Sequence, residues 1–196
     1  MVAEGYNISP ERKATLDSIA HYIQVQYQKK QPIALTFICT HNSRRSQFGQ
    51  VWAYAAALYH GLPISTLRTY SGGTEATACN IRTIEALKRA GFTVNTNEKE
   101  AKNPVYEVLM NDKEVLSLFS KQYAHASNPQ ENFCAVLVCS QADEACPIVK
   151  GAEKRIYLPY EDPKKADGSE AETNAYDATC KLIAQEMLYV FSKIQP

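Results

Sequence analysis

The sequence of 196 residues predicts a three-layer α/β sandwich around a mainly parallel sheet, and three observations carry that prediction. "PIALTFI" (32–38) is almost continuously apolar, as a strand covered on both faces of a parallel sheet must be. Phe48, Val51, Trp52, Ala55, Leu58 and Tyr59 follow at helical period up to Gly61, so a helix comes directly after the strand. Further β-prone runs then alternate with further helical patterns as far as the C-terminus.

Taken in order, Ser9-Pro10-Glu11 reads as an N-cap, a proline at the first helical position and an early acid. Leu16, Ile19, Ala20 and Ile23 then repeat at helical spacing in a helix that ends near Gln28. This helix is an N-terminal extension over residues 1–30, and the remaining chain, 31–196, forms the main domain. After the first strand and its helix, "LRTYSGG" (67–73) is a second strand ending in a glycine turn. Ile81, Ile84 and Leu87 before Gly91 make the next helix. "NPVYEVLMNDKEVLSLFS" (103–120) holds two β-prone runs around Asn111-Asp112, a β-hairpin within an insertion spanning about 103–130. "SNPQEN" (127–132) is a loop. "FCAVLVC" (133–139) and "KRIYLPY" (154–160) are core strands. Tyr176, Thr179, Ile183, Met187, Val190, Phe191 and Ile194 line one face of a closing helix.

Composition narrows the function classes. The 21 basic and 21 acidic side chains cancel, so no global field draws the chain to nucleic acid or to a membrane surface, and any anion binding must be local. No apolar stretch approaches a membrane span, and "MVAEGYNISPERKATLD" lacks a basic segment followed by an apolar core. A cytoplasmic setting is the expectation. There the six cysteines point to thiol chemistry rather than to a disulfide framework. No CxxC pair occurs, and His21, His41, His60 and His125 have no ligand spacing, so neither a metal nor another cofactor is expected.

"FICTHNSRRSQF" (37–48) carries the candidate chemistry. Ligands bind beyond the carboxyl ends of parallel strands, where Cys39 falls. Cys39 and Arg45 form C-x5-R, and of the six cysteines only Cys39 has an arginine at that spacing. A loop between strand and helix can turn successive backbone N–H groups inward as an anion nest. The guanidinium of Arg45 adds a bidentate grip on a tetrahedral oxyanion. The same donors favour negative charge on the Cys39 sulfur, the form that attacks. A buried strand-end cysteine beside surface arginines is the bland alternative.

Cys39-Thr40-His41-Asn42-Ser43-Arg44-Arg45-Ser46 resembles the C-x-[GH]-N-x-x-R-S loop of the low molecular weight protein tyrosine phosphatase and arsenate reductase family. The resemblance continues through "SGGTEATACNIRTIEALKRAGF" (71–92) and "YEDP" (160–163). It implies that Cys39 is the nucleophile and that residues 40–46 (Thr40, His41, Asn42, Ser43, Arg44, Arg45 and Ser46) bind the oxyanion. It further implies that Asn42 shapes the loop, that Ser46 bonds the thiolate, and that Asp162 is the general acid. On spacing alone "EDPKKADG" would be an ordinary charged turn. Arg44 stands where a cysteine is common in the family, His41 where many members have glycine, and Gln50 where the reductases have an acid.

Within the family, "VCSQADEACP" resembles the resolving pair of the thioredoxin-coupled arsenate reductases, with Cys139 and Cys146 seven residues apart. That likeness implies reduction of arsenate to arsenite, with Cys39, Cys139 and Cys146 in relay and thioredoxin as the reductant. Lys164, where the phosphatases usually carry an aromatic, favours a small inorganic oxyanion or, alternatively, an anionic phosphoester. The alternative is a phosphatase acting on phosphotyrosine or small phosphoesters, its nucleophile protected by Cys139 and Cys146. A third reading is a non-catalytic oxyanion-binding or redox-sensing domain, which has no need of Asp162. Cys79, Cys134 and Cys180 have no such match and are expected in the core.

Overall fold

A computed structural model describes residues 8–63, 65–96 and 101–195; the first seven positions of the stretch read for a leader lie outside them. In chain order the elements are α1 (Pro10–Gln28), β1 (Ile33–Cys39), α2 (Arg45–Tyr59), β2 (Leu67–Gly73), α3 (Ile81–Arg89), β3 (Thr93–Asn95), β4 (Tyr106–Leu109), β5 (Val115–Leu118), β6 (Phe133–Leu137), α4 (Ser140–Ala145), β7 (Ala152–Tyr157) and α5 (Glu172–Ser192). A short 3-10 helix, Pro163–Ala166, precedes α5. Among the described residues no helix is long and apolar enough to cross a membrane.

The main sheet has four strands in the order β2-β1-β6-β7, and every neighbouring pair is parallel. All of β6, and all of β1 but Ala34, are buried, which explains why their sequences show no polar alternation. From β1 the chain moves to β2 on one side, and β6 later pairs on the other. The end of β1 is therefore the point where strand order diverges, the place an open α/β sheet offers a ligand. Register aligns Cys39 with Gly73, and Val138 N–H donates to Ile38 O at 2.8 Å, so the ends of β1, β2 and β6 share one edge.

The helices pack through their apolar stripes. Helix α1 is started by Ser9, whose Oγ accepts Arg12 N–H at 3.2 Å, and by Pro10 in the first turn. Its Leu16, Ile19 and Ile23 are fully buried in the same core as the sheet, where α1 meets α5, β7 and β1. Helix α2 lies against β1, β2 and α5 and buries Phe48, Val51, Ala53, Ala56 and Ala57.

A second, antiparallel sheet has the order β3-β4-β5. Its β4–β5 pair is the hairpin read at 103–120, turned at Asn111, whose Oδ1 accepts from the backbone of Lys113 and Glu114. The third strand, β3, was not read from the sequence, because three residues make no periodic pattern. Helix α4 and the 3-10 helix were also missed: "SQADEA" has too few apolar residues to show a stripe, and "PKKA" reads as a turn.

Candidate active site

The loop from Cys39 to Arg45 owes its shape to three devices. Asn42 takes a left-handed backbone, φ 47°, tolerable for asparagine because its short side chain can bond locally. Here that side chain donates from Nδ2 to Ser46 Oγ at 2.9 Å and accepts Lys121 N–H at 3.0 Å. Gly73 passes so close that a Cβ there would lie 2.6 Å from Thr40 O and 2.8 Å from Asn42 N. The segment 119–123 then braces the loop. Ser120 Oγ donates to His41 O, Gln47 Nε2 bridges Asn42 O and Phe119 O, and Gly73 exchanges backbone bonds with Lys121 and Tyr123.

Cys39 Sγ lies 3.1 Å from Ser46 Oγ. Since Ser46 Oγ already accepts from Asn42, its own proton is free to point at the sulfur, a donor suited to a thiolate. Arg45 opens α2 and is 8% exposed. Its Nη1 donates to Tyr160 O at 3.0 Å and its Nη2 to Asp162 Oδ2 at 2.6 Å, while its buried Nε has no partner among the described residues. An unpaired buried N–H is costly; a bound oxyanion would satisfy it. Asp162 also accepts Lys164 N–H through Oδ1, at 3.1 Å. The carboxylate thus caps the 3-10 helix and holds the arginine together.

The remaining loop side chains point elsewhere. Arg44 Nε donates to Tyr176 OH at 2.7 Å, and Tyr176 OH donates to Asp167 Oδ1 at 2.8 Å, so Arg44 ties the loop to α5 and to the end of the 3-10 helix. Ser43 Oγ donates to Ala78 O, and His41 faces Glu75 at 3.6 Å. Thr40 Oγ1 is 3.5 Å from Cys139 Sγ. Gln50, on α2, accepts Ser71 Oγ at 2.6 Å. Among the described residues no three His, Cys, Asp or Glu side chains gather as a metal site.

Both further thiols flank α4. Cys139 caps it, its Sγ accepting Ala142 N–H at 3.4 Å, and Cys146 closes it, its N–H bonded to Ala142 O. Seven residues of helical rise separate them by about 10 Å, whereas a disulfide needs Cα atoms about 4.4–6.8 Å apart. Burial pushes the Cys146 thiol above its ordinary value, against the pull of Tyr123 and Arg155. All six cysteines are free. Burial drives Cys79 and Cys134 up to about 12 and Cys180 to about 11, which marks them as protonated core thiols.

No family model matches the chain. It is 29% identical over 136 residues to arsenate reductase 2 of Staphylococcus epidermidis, covering 68% of this chain and 81% of that one. Identity to the arsenate reductase of Bacillus licheniformis is 28% over 140 residues, 71% and 81% of the two chains. Both relatives are arsenate reductases, and further curated arsenate reductases match the chain at 25–29% identity. Solved structures of a low molecular weight phosphatase and of an arsenate reductase share its fold. The low molecular weight protein tyrosine phosphatase of Bacillus subtilis has a TM-score of 0.55 at 14% identity, over 82% of this chain and 96% of that one. The arsenate reductase of Archaeoglobus fulgidus has 0.50 at 15%, over 81% and 98%. At such identities these structures speak to the fold. The division between reductase and phosphatase rests on sequence similarity and on the site.

Proposed function

We propose that the chain is an arsenate reductase that works through a relay of three thiols. The observation that carries this reading is the meeting of two sets of groups at one sheet edge. Cys39 and Arg45 lie in a braced oxyanion loop, and Cys139 lies beside Thr40 with Cys146 at the far end of α4. Similarity in sequence to the arsenate reductases supports it.

In this reading arsenate sits in the loop against the backbone N–H groups and the free Nε of Arg45. The Cys39 thiolate forms an S–As bond, and an arsenate oxygen leaves as water with a proton from Asp162. The thiolate of Cys139 then attacks Cys39 Sγ. An S–S bond forms, the S–As bond breaks, and its electron pair stays on arsenic, which departs as arsenite. Cys146 next attacks Cys139 Sγ, freeing Cys39 and leaving a Cys139–Cys146 disulfide. Two thiols thereby supply the two electrons, and an external dithiol of the thioredoxin type restores them. The last step needs α4 to unwind, since helical spacing keeps the two sulfurs apart. A reducing cytoplasm is the setting in which the thiols stay ready.

Hydrolysis of a phosphoester is the second reading, favoured by one feature. Cys39, Arg45 and Asp162 suffice for it, with no need of Cys139 or Cys146, and Arg45 and Asp162 are paired. An assay with arsenate, thioredoxin, its reductase and NADPH, run beside an aryl phosphate, separates the two. NADPH oxidation that depends on arsenate supports the reductase; efficient phosphate release without it supports the phosphatase.

A further inference from the structure

Glu186, on α5, is a carboxylate only 2% exposed, and no step above uses it. Its Oε1 accepts Arg12 Nε at 2.7 Å, and its Oε2 accepts Arg12 Nη2 at 2.9 Å and Tyr160 OH at 2.6 Å. The Arg12 guanidinium also stacks over the Tyr160 ring, 4.7 Å from its centre. Tyr160 is the residue whose backbone oxygen accepts Arg45 Nη1. A continuous set of contacts therefore runs from α1, through α5 and the segment that follows β7, to the arginine of the oxyanion loop.

Arg12, Glu186, Tyr160, Arg45 and Asp162 also line one cavity of about 560 Å³. Glu186 and Arg45 thus face a common space. The third cation there, Lys165, is paired with Glu161 at 2.5 Å. A buried carboxylate without a counter-ion is strongly unfavourable, and it recruits whatever cation can turn towards it. Deprived of Arg12, Glu186 would compete with Asp162 for Arg45.

We propose that Arg12 is a positioning residue: by holding Glu186 in a bidentate pair it keeps Arg45 turned towards the oxyanion loop. Helix α1 is then part of the working site rather than an appendage. The proposal rests on the reading of Arg45 as the oxyanion clamp. It concerns binding of the anion, before any thiol exchange.

Calorimetric titration with inorganic phosphate tests it, alongside thermal unfolding of each variant. Arg12→Met weakens phosphate binding about tenfold by misdirecting Arg45. Arg12→Met/Glu186→Gln, which removes the competing charge, restores binding to within about twofold of wild type. Arg12→Lys and Glu186→Gln alone leave no uncompensated carboxylate and keep wild-type affinity. A purely structural role for Arg12 would lower the unfolding temperature while leaving phosphate affinity unchanged, and that result overturns the proposal. So does a double variant that binds no better than Arg12→Met, or a loss of affinity in Glu186→Gln alone. Should Arg12→Met not fold, the last comparison still decides. Absence of phosphate binding by wild-type protein would instead remove the clamp reading itself.

Discussion

Cys139 and Cys146 stand at opposite ends of one short helix, and Arg155 holds the helix shut. Its Nε donates to Cys146 O at 3.0 Å, its Nη2 donates to Asp143 O at 2.9 Å, and the guanidinium pairs with the Asp143 carboxylate. Six residues are too few for a helix to persist without such tertiary support. Arg155→Met therefore lowers the cost of unwinding by about 1 kcal/mol and speeds formation of the Cys139–Cys146 disulfide several-fold. Stopped reaction with an alkylating mass tag after addition of arsenate follows it. An unchanged or slower rate would mean that unwinding does not limit this step.

Replacing the relay thiols one at a time separates their roles. Cys139→Ser stalls with arsenic covalently held on Cys39. Cys146→Ser releases one arsenite per chain and then traps a Cys39–Cys139 disulfide. Intact mass spectrometry of single-turnover mixtures distinguishes these species, and either variant turning over repeatedly with thioredoxin would remove that thiol from the relay.

Asp162 both pairs with Arg45 and, in the proposed reaction, delivers a proton. Asp162→Asn keeps the side-chain shape but supplies no proton, so the first chemical step slows by about 10²–10⁴. Loss of the ion pair leaves the Arg45 guanidinium free for the anion, so inorganic phosphate binds as tightly as before or more so. Rapid-quench kinetics with arsenate or an aryl phosphate, beside a phosphate titration, reads both effects. An unchanged rate would reduce Asp162 to a turn residue.

Much of the architecture was legible because its signals are local. The continuous apolar run of β1, the glycine-ended "LRTYSGG" of β2 and the capped start of α1 each carry their own evidence, and the elements lie where those signals put them. The spacing of Cys39 and Arg45 reflects one loop, whereas Asp162 came only from the resemblance to the family, and in the structure it pairs with Arg45. The partners of Arg44 did not, because Tyr176 and Asp167 are more than 120 residues away in sequence and neither position shows why it should reach the loop. Segment 119–123 was equally silent. Apart from the Ser120 hydroxyl on His41 O, it acts through backbone groups on Gly73 and Asn42, and backbone hydrogen bonds leave little trace in residue type. Its one unusual side chain is Lys121, a lysine buried beneath the loop at 4% exposure.

Burial lowers the Lys121 ammonium from 10.5 to about 8, with the Phe119 ring beneath it as partial compensation. A lysine whose folded value is depressed costs stability in full below that value, and the cost fades as pH rises towards its unfolded value. Lys121→Met therefore stabilises the protein by about 2 kcal/mol at pH 7, and the gain shrinks as pH rises from about 8 towards 10.5. Urea unfolding midpoints at pH 7 and pH 10 measure it. A destabilised Lys121→Met at pH 7 would show that the ammonium has a strong partner in the fold.

The most direct test of the three-thiol relay is a single turnover by fully reduced wild-type protein, with arsenate and no external reductant. Arsenite release and the number of remaining free thiols are measured together. The relay predicts one arsenite per chain, the loss of two thiols and a disulfide that peptide mapping assigns to Cys139 and Cys146. No arsenite, with all six thiols still reduced and brisk hydrolysis of an aryl phosphate in the same preparation, would contradict it.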